Sequence, residues 1–160
     1  MLYTILYTSS ANEPFVEADL VELAIQSWNW NNSHSVTGCL AYVEGVLNGK
    51  TQCQFIQVIE GPENYVKNVF ANIKIDTRYK DISIIKEGII DQRKFSTWKM
   101  CVERIKLSND SALQHFFTMN YERLAENGNT GNNILMDFMK SFYDQKESIA
   151  CECVTYQQLG

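Results

Sequence analysis

The sequence lacks any hydrophobic run that approaches the roughly 18–20 apolar residues needed to cross a bilayer. Its N-terminus, MLYTILYTSSANEP, lacks the basic residues that begin a secretory signal peptide. It also lacks an excess of cations: the net charge is −5. General binding to nucleic-acid phosphates needs clustered Lys and Arg, so the charge argues against it. We therefore expect a soluble cytoplasmic protein that binds neither a membrane nor nucleic acid.

The chain is also poor in residues for a disulfide framework or a metal site. It has five cysteines, which cannot all pair with one another, and only two histidines. Cys39, Cys53 and Cys101 lie in apolar, strand-like runs, where a free cysteine behaves as a small hydrophobic side chain. The C-x-C at 151–153 has no second pair to complete the four ligands of a zinc site. We expect reduced thiols and no bound metal.

The 160 residues, 45% of them hydrophobic, suffice for one core but not for two ordinary domains. Hydrophobic periodicity up to residue 105 predicts a β-α-β-β-α-β order followed by one more strand. The predicted strands are 2–9, 35–43, 54–61, 81–90 and 97–105, and the predicted helices are 16–29 and 61–76. This order indicates an α+β, ferredoxin-like fold, in which a mixed five-stranded sheet carries two helices on one face.

The C-terminal third has a different pattern. Segments 111–124 and 132–145 have apolar stripes at helical spacing and are separated by the loop sequence AENGNTGN. A sheet with helices on only one face leaves its other face uncovered, so we expect these two helices to cover that face. The chain therefore divides into an α/β core at 1–105, a helical cap at 106–146 and a tail at 147–160.

Several polar side chains are predicted to point into the layer between the sheet and its helices. Tyr7 and Gln57 lie on apolar strand faces, whereas Ser27, Asn31 and Asp76 continue apolar helix stripes. An unpaired buried polar group costs about 1–3 kcal/mol, so this cluster needs partners. The partners are either groups of the protein itself or a polar ligand with flat apolar surfaces, such as a flavin or a nucleobase.

Five short motifs then carry a family resemblance. They are Tyr7-Thr8-Ser9, Asn31 six residues before Thr37-Gly38, FIQVIEGP (55–62), NIKIDTRY (72–79) and FSTWKM (95–100). Each motif is weak alone, but the five occur in family order across residues 1–105. In this region the chain resembles a BLUF domain, the blue-light sensor module that uses a flavin. It is similar to the short BLUF proteins, in which no effector domain follows the sensor.

The resemblance implies a set of functional residues and a cofactor. The photoactive tyrosine and the switching glutamine of the family fall on Tyr7 and Gln57, and the tryptophan and methionine that compete for the place beside that glutamine fall on Trp98 and Met100. The implied cofactor is FAD, with FMN or riboflavin as alternatives. The residues implied to hold it are Tyr7, Ala24, Ser27, Trp30, Asn31, Asn32, Gln57, Ile73, Asp76 and Arg78.

The resemblance also implies a mechanism without enzymatic turnover. The excited flavin takes an electron and then a proton from Tyr7, the radical pair recombines, and Gln57 emerges rearranged. The result is a small red shift that reverses in the dark. The signal is expected to pass through the strand of Trp98 and Met100 to the C-terminal helices, and from there to a separate signalling protein or within a homo-oligomer. The alternatives are a flavin-dependent redox enzyme and a flavin-free interaction domain.

The sequence departs from the family pattern at several points. The connection at 43–54 is longer than usual, and we interpret it as an extended, exposed hairpin with an Asn-Gly turn. Asn72 stands where the family often has a basic residue, and Tyr79 where it often has a histidine. Both changes concern the ribityl and phosphate end of the cofactor, so they leave FAD against FMN open. Trp30 either stacks on the ring edge or packs within the protein.

Overall fold

The computed structural model describes residues 1–47, 49–105 and 129–145. Its strands are β1 (Leu2–Ala11), β2 (Thr37–Leu47), β3 (Lys50–Pro62), β4 (Tyr79–Ile90) and β5 (Trp98–Ile105), and its helices are α1 (Glu17–Ser33), α2 (Glu63–Ile75) and α3 (Asn129–Gln145). Among these, no helix has the length and apolar character that a membrane span requires. The predicted helix at 111–124 and the cysteines at 151 and 153 lie outside the described residues.

One sheet contains the five described strands in the order β4-β1-β3-β2-β5. β1 is antiparallel to both β3 and β4, and β2 is antiparallel to β3, whereas β5 runs parallel to β2. The sheet is therefore mixed, as the predicted element order required. The α+β, ferredoxin-like fold is confirmed.

The two faces of the sheet support separate cores. On one face, here called the helix face, α1 and α2 pack against alternate strand residues that include Tyr7 and Phe55. On the other, here called the cap face, α3 packs through Leu135 and Met139 on a cluster that includes Val58. The second predicted C-terminal segment, 132–145, thus packs on the sheet face that α1 and α2 leave uncovered, as expected. Because both faces are covered, successive residues of a central strand belong to different cores.

The β2–β3 hairpin is longer than the sequence patterns predict. Residues 43–54, predicted as a connection, belong almost entirely to the two strands, and their pairing continues to Leu47 opposite Lys50. Val43 and Cys53 are buried, so the base of this region is part of the core and only its tip is exposed. Gly49 adopts a φ of +77° at the tip, a conformation that glycine tolerates best. The prediction of an extended hairpin is correct, but the prediction that it is exposed holds only for its tip.

The helix α1 continues one turn beyond its predicted end at residue 29. The added turn ends at Ser33, and the backbone N–H of Val36 then donates to the carbonyl of Asn31 at 2.9 Å. Ser35 makes the reversal with a φ of 57°. As a result, Trp30 and Asn31 lie on a rigid helix rather than in a loop.

Gly38, from one of the matched motifs, allows β2 to lie close to β3. It has a φ of +147°, and a Cβ built there would overlap the carbonyl oxygen of Val58. Gly38 also lies opposite Trp98 in the β2–β5 ladder, and its N–H donates to the Thr97 carbonyl at 3.0 Å. Gly38 thus lets β2 approach β3, and its bond to Thr97 helps to fix the position of the adjacent Trp98 in the sheet.

A buried carboxylate holds the segment that leads into β5. Glu60, 1% exposed, accepts the backbone N–H groups of Lys94 at 2.8 Å and Phe95 at 2.9 Å through Oε1. The guanidinium of Arg93 donates to the Glu60 carbonyl at 3.1 Å and to the Thr37 hydroxyl at 2.8 Å. Burial raises the pKa of the Glu60 carboxyl, and the bonds from the two N–H groups oppose that rise. Glu60 thus provides the acceptor for one buried and one partly buried backbone donor.

We predict that Glu60→Ala lowers the free energy of unfolding by about 2–5 kcal/mol, because it leaves two backbone N–H groups without an acceptor. Glu60→Gln keeps an acceptor oxygen and should lose less. Urea unfolding followed by circular dichroism measures both changes, with Glu13→Ala as an exposed control. Equal losses at positions 60 and 13 would contradict this explanation.

Candidate functional site

A cleft of about 300 Å³ lies between α1 and α2, above the centre of the helix face. This volume is at the lower end of the range for small-molecule sites, roughly 300–1,000 Å³. The described residues that line it are Leu23, Gln26, Ser27, Trp30, Asn31, Leu40, Gln57, Val69, Asn72, Ile73, Asp76, Arg78 and Tyr79. The set combines apolar and aromatic side chains with several amides and one ion pair, which suits a flat ligand with a polar edge.

Gln57 lies in the middle of a buried hydrogen-bond chain at this cleft. Its Oε1 accepts from the indole Nε1 of Trp98 at 3.1 Å, and its Nε2 donates to the Tyr7 hydroxyl at 2.5 Å. The indole can only donate, so the amide oxygen must face Trp98 and the amide nitrogen must face Tyr7. Trp98 therefore determines the orientation of the amide.

Tyr7 lies fully buried directly opposite Gln57 in the β1–β3 ladder. Burial, together with the nearby Tyr79 and Asp76, raises the pKa of the Tyr7 hydroxyl well above its usual value, against a smaller lowering from the Gln57 bond. The phenol is therefore neutral at physiological pH. It accepts a hydrogen bond from Gln57, so its own proton remains available to a second acceptor.

Asn31 presents a polar group to the cleft. Its side chain is 3% exposed and lines the cleft. Among the residues that the structure describes, the buried side-chain atoms without a hydrogen-bond partner are Thr4 Oγ1 and Ser9 Oγ, so the Asn31 amide is not one of them. The nitrogen and oxygen atoms along the edge of a flavin ring would fit this amide. The residues present are therefore consistent with the cofactor that the sequence implies.

An ion pair marks the outer end of the cleft, here called the mouth. Arg78 Nη2 lies 2.6 Å from Asp76 Oδ2, and Arg78 Nε lies 3.0 Å and 3.1 Å from the two carboxylate oxygens. The backbone N–H of Arg78 also donates to Asp76 Oδ1 at 2.9 Å. These bonds hold the pKa of the Asp76 carboxyl below its usual value. The guanidinium is thus already paired at the mouth.

Trp30 both packs within the protein and lines the cleft. Its indole stacks on the His34 ring with centroids 3.8 Å apart and planes 8° apart, and the edge of Tyr65 on α2 contacts both rings. His34 Nδ1 also lies 2.7 Å from the Trp30 carbonyl. This cluster links the end of α1 to the start of α2 and closes one end of the cleft.

The structure brings most of the predicted site residues together. Those that line the cleft are Ser27, Trp30, Asn31, Gln57, Ile73, Asp76 and Arg78. The buried residues that do not line it are Tyr7, Ala24, Trp98 and Met100. Asn32 is exposed and lines a smaller pocket of about 60 Å³ beside Thr97 and Trp98, and Asn31 lines both this pocket and the cleft. The role of Asn32 at the cofactor stays a prediction.

Six lining residues were not among the predicted site residues, and two of them, Asn72 and Tyr79, were noted only as departures from the family pattern. Leu23 and Val69 belong to predicted apolar helix stripes, which indicated a core position rather than a ligand contact. Leu40 lies opposite Gln57 on β2, and only the strand register reveals that it contributes to the floor. Gln26 is an exposed helical amide with no distinctive sequence signal.

This chain matches a family model, related sequences and solved structures, and these matches agree with one another. The model of the BLUF family, described as sensors of blue light using FAD, matches residues 2–101. Photoactivated adenylate cyclase subunit alpha of Euglena gracilis is 31% identical over 96 residues, which are 60% of this chain and 9% of that protein. This chain thus spans less than a tenth of that relative.

Two solved structures have the same fold. The ground state of BlsA aligns with a TM-score of 0.66 and 20% identity over 93% of each chain, which supports the fold alone. Klebsiella pneumoniae BlrP1 with FMN and cyclic diGMP aligns with a TM-score of 0.54 and 28% identity over 74% of this chain and 30% of that one.

The Asp76–Arg78 pair should make stability depend on acid. The pKa of Asp76 is lowered in the folded state, so the unfolded chain takes up the proton first as the pH falls. We predict that the contribution of this pair is present above the usual aspartate pKa of 3.8 and is lost as the pH falls below it. Urea unfolding at pH 3–5 should therefore show a flatter acid dependence for Asp76→Asn. Parallel curves would contradict this assignment.

Proposed function

Because the chain belongs to the BLUF family of blue-light sensors that use FAD, we propose that its cleft holds the flavin ring and that Tyr7 and Gln57 form the photoactive pair. The observation that carries this proposal is the buried hydrogen-bond chain from Tyr7 through Gln57 to Trp98, at a cleft that Asn31 also lines. When bound, the flavin supplies the absorption of blue light and an acceptor for an electron and a proton.

The residues of the chain have separate roles in the proposed photochemistry. Tyr7 would donate the electron and then the proton to the flavin, and its burial raises the pKa of the phenol so that it is neutral before that step. Gln57 bonds to the tyrosine hydroxyl and lines the cleft, so it lies on the route of the proton. Asn31 would hold the polar edge of the ring, while Ile73 and Leu23 would contact its apolar surface. Because Tyr7 is fully buried, it would recover its proton within the site.

Rearrangement of Gln57 has a direct consequence for Trp98. If the amide rotates, its nitrogen faces the indole Nε1, and two donors then oppose each other. Trp98 must move away, and Met100 lies next on the same face of β5, opposite Leu40. One net hydrogen bond is worth about 0.5–1.5 kcal/mol, so the two arrangements are close enough in energy for the flavin to select between them.

A chain of contacts links Trp98 to α3. Tyr143 of α3 lies with its hydroxyl 3.0 Å from the Ser96 hydroxyl and accepts the backbone N–H of Thr97 at 3.3 Å. Lys99 donates to the Tyr143 carbonyl at 3.2 Å and lies 4.2 Å from the centre of its ring. Residues on both sides of Trp98 thus contact one residue of the cap, Tyr143. A movement of Trp98 is transmitted through this contact to α3.

On the basis of this contact, we propose that the chain has three parts with different functions. Residues 1–105 form the sensor, 106–146 form the cap that responds to it, and 147–160 form a tail. The cap changes its contacts with a separate signalling protein or with another copy of the chain in the cytoplasm. In this proposal the chain is a sensor and not an enzyme; cyclase activity belongs to the much longer relative.

The cofactor is a flavin, and FAD is the form that the family description names. The similar BlrP1 structure contains FMN, which supports the wider class. Asn31, Gln57 and the apolar walls would contact the ring, which FAD, FMN and riboflavin share. The ring site therefore accepts any of the three, and discrimination depends on the mouth.

The visible absorption spectrum before and after blue light tests this function. We predict a flavin spectrum that shifts slightly to the red and recovers in the dark, and that no longer shifts in Tyr7→Phe or Gln57→Ala. Tyr42→Phe is the matched control, because Tyr42 is equally buried on the helix face but bonds to Glu44 and to the Phe15 N–H instead. A flavin that bleaches with a reductant, or that does not respond to light, would indicate a redox enzyme. A colourless protein would indicate a flavin-free domain.

Hydrogen exchange of α3 tests the proposed output. We predict that illumination changes the exchange of residues 129–145, and that Tyr143→Phe keeps the spectral shift but reduces this change, because the hydroxyl no longer holds Ser96 and Thr97. Tyr65→Phe, at an exposed tyrosine of α2, serves as the control. Identical exchange in dark and light would show that the signal does not reach the cap.

A further inference from the structure

The mouth of the cofactor cleft opens into a second cleft of about 500 Å³. Gln26 and Arg78 line both clefts, so the two are continuous at this point. The second cleft is otherwise formed by the β1–α1 loop and the start of α1. A flavin whose ring fills the inner cleft has its ribityl chain at the mouth. Any group at the end of that chain then lies in the outer cleft.

The charges at the mouth are predominantly negative. Among the described lining residues, Asp76 belongs to the inner cleft, and Glu13, Asp19 and Glu22 belong to the outer one. Arg78 is the single cation in the described lining of both clefts. Four carboxylates against one guanidinium leave a net charge of −3.

Arg78 is not available to compensate a phosphate. Its guanidinium makes contacts of 2.6–3.1 Å with both oxygens of Asp76, and Glu22 is close enough to favour its charged form further. If Arg78 turned to a phosphate, the Asp76 carboxylate would be left unpaired beside the new negative charge. Asn72, which also lines the inner cleft, contributes a neutral amide.

The amino end of α1 does not offset this charge. Backbone N–H groups at the start of a helix attract anions. However, Glu17 and Asp19 lie in the first turn of α1 and already occupy that field with negative charge. A neutral polyol is better suited to the mouth, because its hydroxyls can donate to carboxylates such as Glu22 and to the amide oxygen of Gln26.

We propose that the mouth discriminates against phosphate, so that the site binds riboflavin more tightly than FMN or FAD. This inference rests on the proposed flavin site and concerns the selectivity of that site. A phosphate monoester carries about two negative charges near neutral pH. At about 10 Å from a net charge of −3 in water, and at about 0.1 M salt, its repulsion corresponds to roughly a three- to tenfold loss of affinity.

The experiment is a titration of the flavin-free full chain with riboflavin, FMN and FAD, followed by quenching of flavin fluorescence. We expect riboflavin to bind about three- to tenfold more tightly than FMN at low salt, and the ratio to approach one at about 0.5 M salt, where the charges are screened. Riboflavin and FMN differ only by the phosphate, so their ratio isolates its contribution. FAD should show the same dependence on salt.

Two charge-removing variants test which residues cause the preference. Asp76→Asn releases Arg78 and removes one carboxylate, and Glu22→Gln removes a charge at the junction of the clefts. Both should shift the ratio towards FMN, by about 1.5- to twofold for the loss of one charge and by more where Arg78 is also released. Glu63→Gln is the matched control, because Glu63 pairs with Lys67 on α2, away from both clefts. Its ratio should equal that of the unmodified chain.

The outcomes separate the selectivity from the function. If FMN binds as tightly as riboflavin at low salt, or the ratio is unchanged by salt and by both variants, the selectivity is overturned while the flavin site stands. If none of the three flavins binds to the folded chain, the proposed flavin function is overturned, and this inference with it.

Discussion

The site depends on one chemical asymmetry: an indole nitrogen can donate a hydrogen bond but cannot accept one. Trp98 therefore fixes the amide of Gln57 with its oxygen towards β5 and its nitrogen towards Tyr7. The tyrosine hydroxyl must then accept from the amide, which leaves its proton free for another acceptor. The orientation of one side chain thus follows from the contact made by another on a different strand, and the fold serves to keep these three residues in register.

Much of this arrangement could be predicted from the sequence, because strand alternation is reliable over short apolar runs. Tyr7 and Gln57 were assigned to one face, and the structure places them directly opposite each other. The choice between Trp98 and Met100 could not be predicted, since both lie on the same face of β5. The hydrogen bond from the Trp98 indole to Gln57 becomes visible only in the three-dimensional structure.

The parts that could not be predicted are those in which polar residues pair with one another. The Asp76–Arg78 pair joins residues two apart in an irregular segment, and no hydrophobic pattern indicates it. The long β2–β3 hairpin was underestimated for a similar reason, because its polar and glycine-containing sequence resembles a loop. Its strands extend because cross-strand pairing continues to Leu47 and Lys50 once Val43 and Cys53 are buried. Local propensity was outweighed there by tertiary packing.

The place of β5 in the sheet has a mechanical consequence. Within the described residues β5 pairs with β2 alone and forms one margin of the sheet, while β1 and β3, which carry Tyr7 and Gln57, each have a neighbour on both sides. The stiff part of the sheet therefore holds the groups proposed to react, and its compliant margin carries the group proposed to move. A displacement of β5 strains one ladder of hydrogen bonds instead of two, so the rim of the sheet can change shape while the strands of Tyr7 and Gln57 remain rigid.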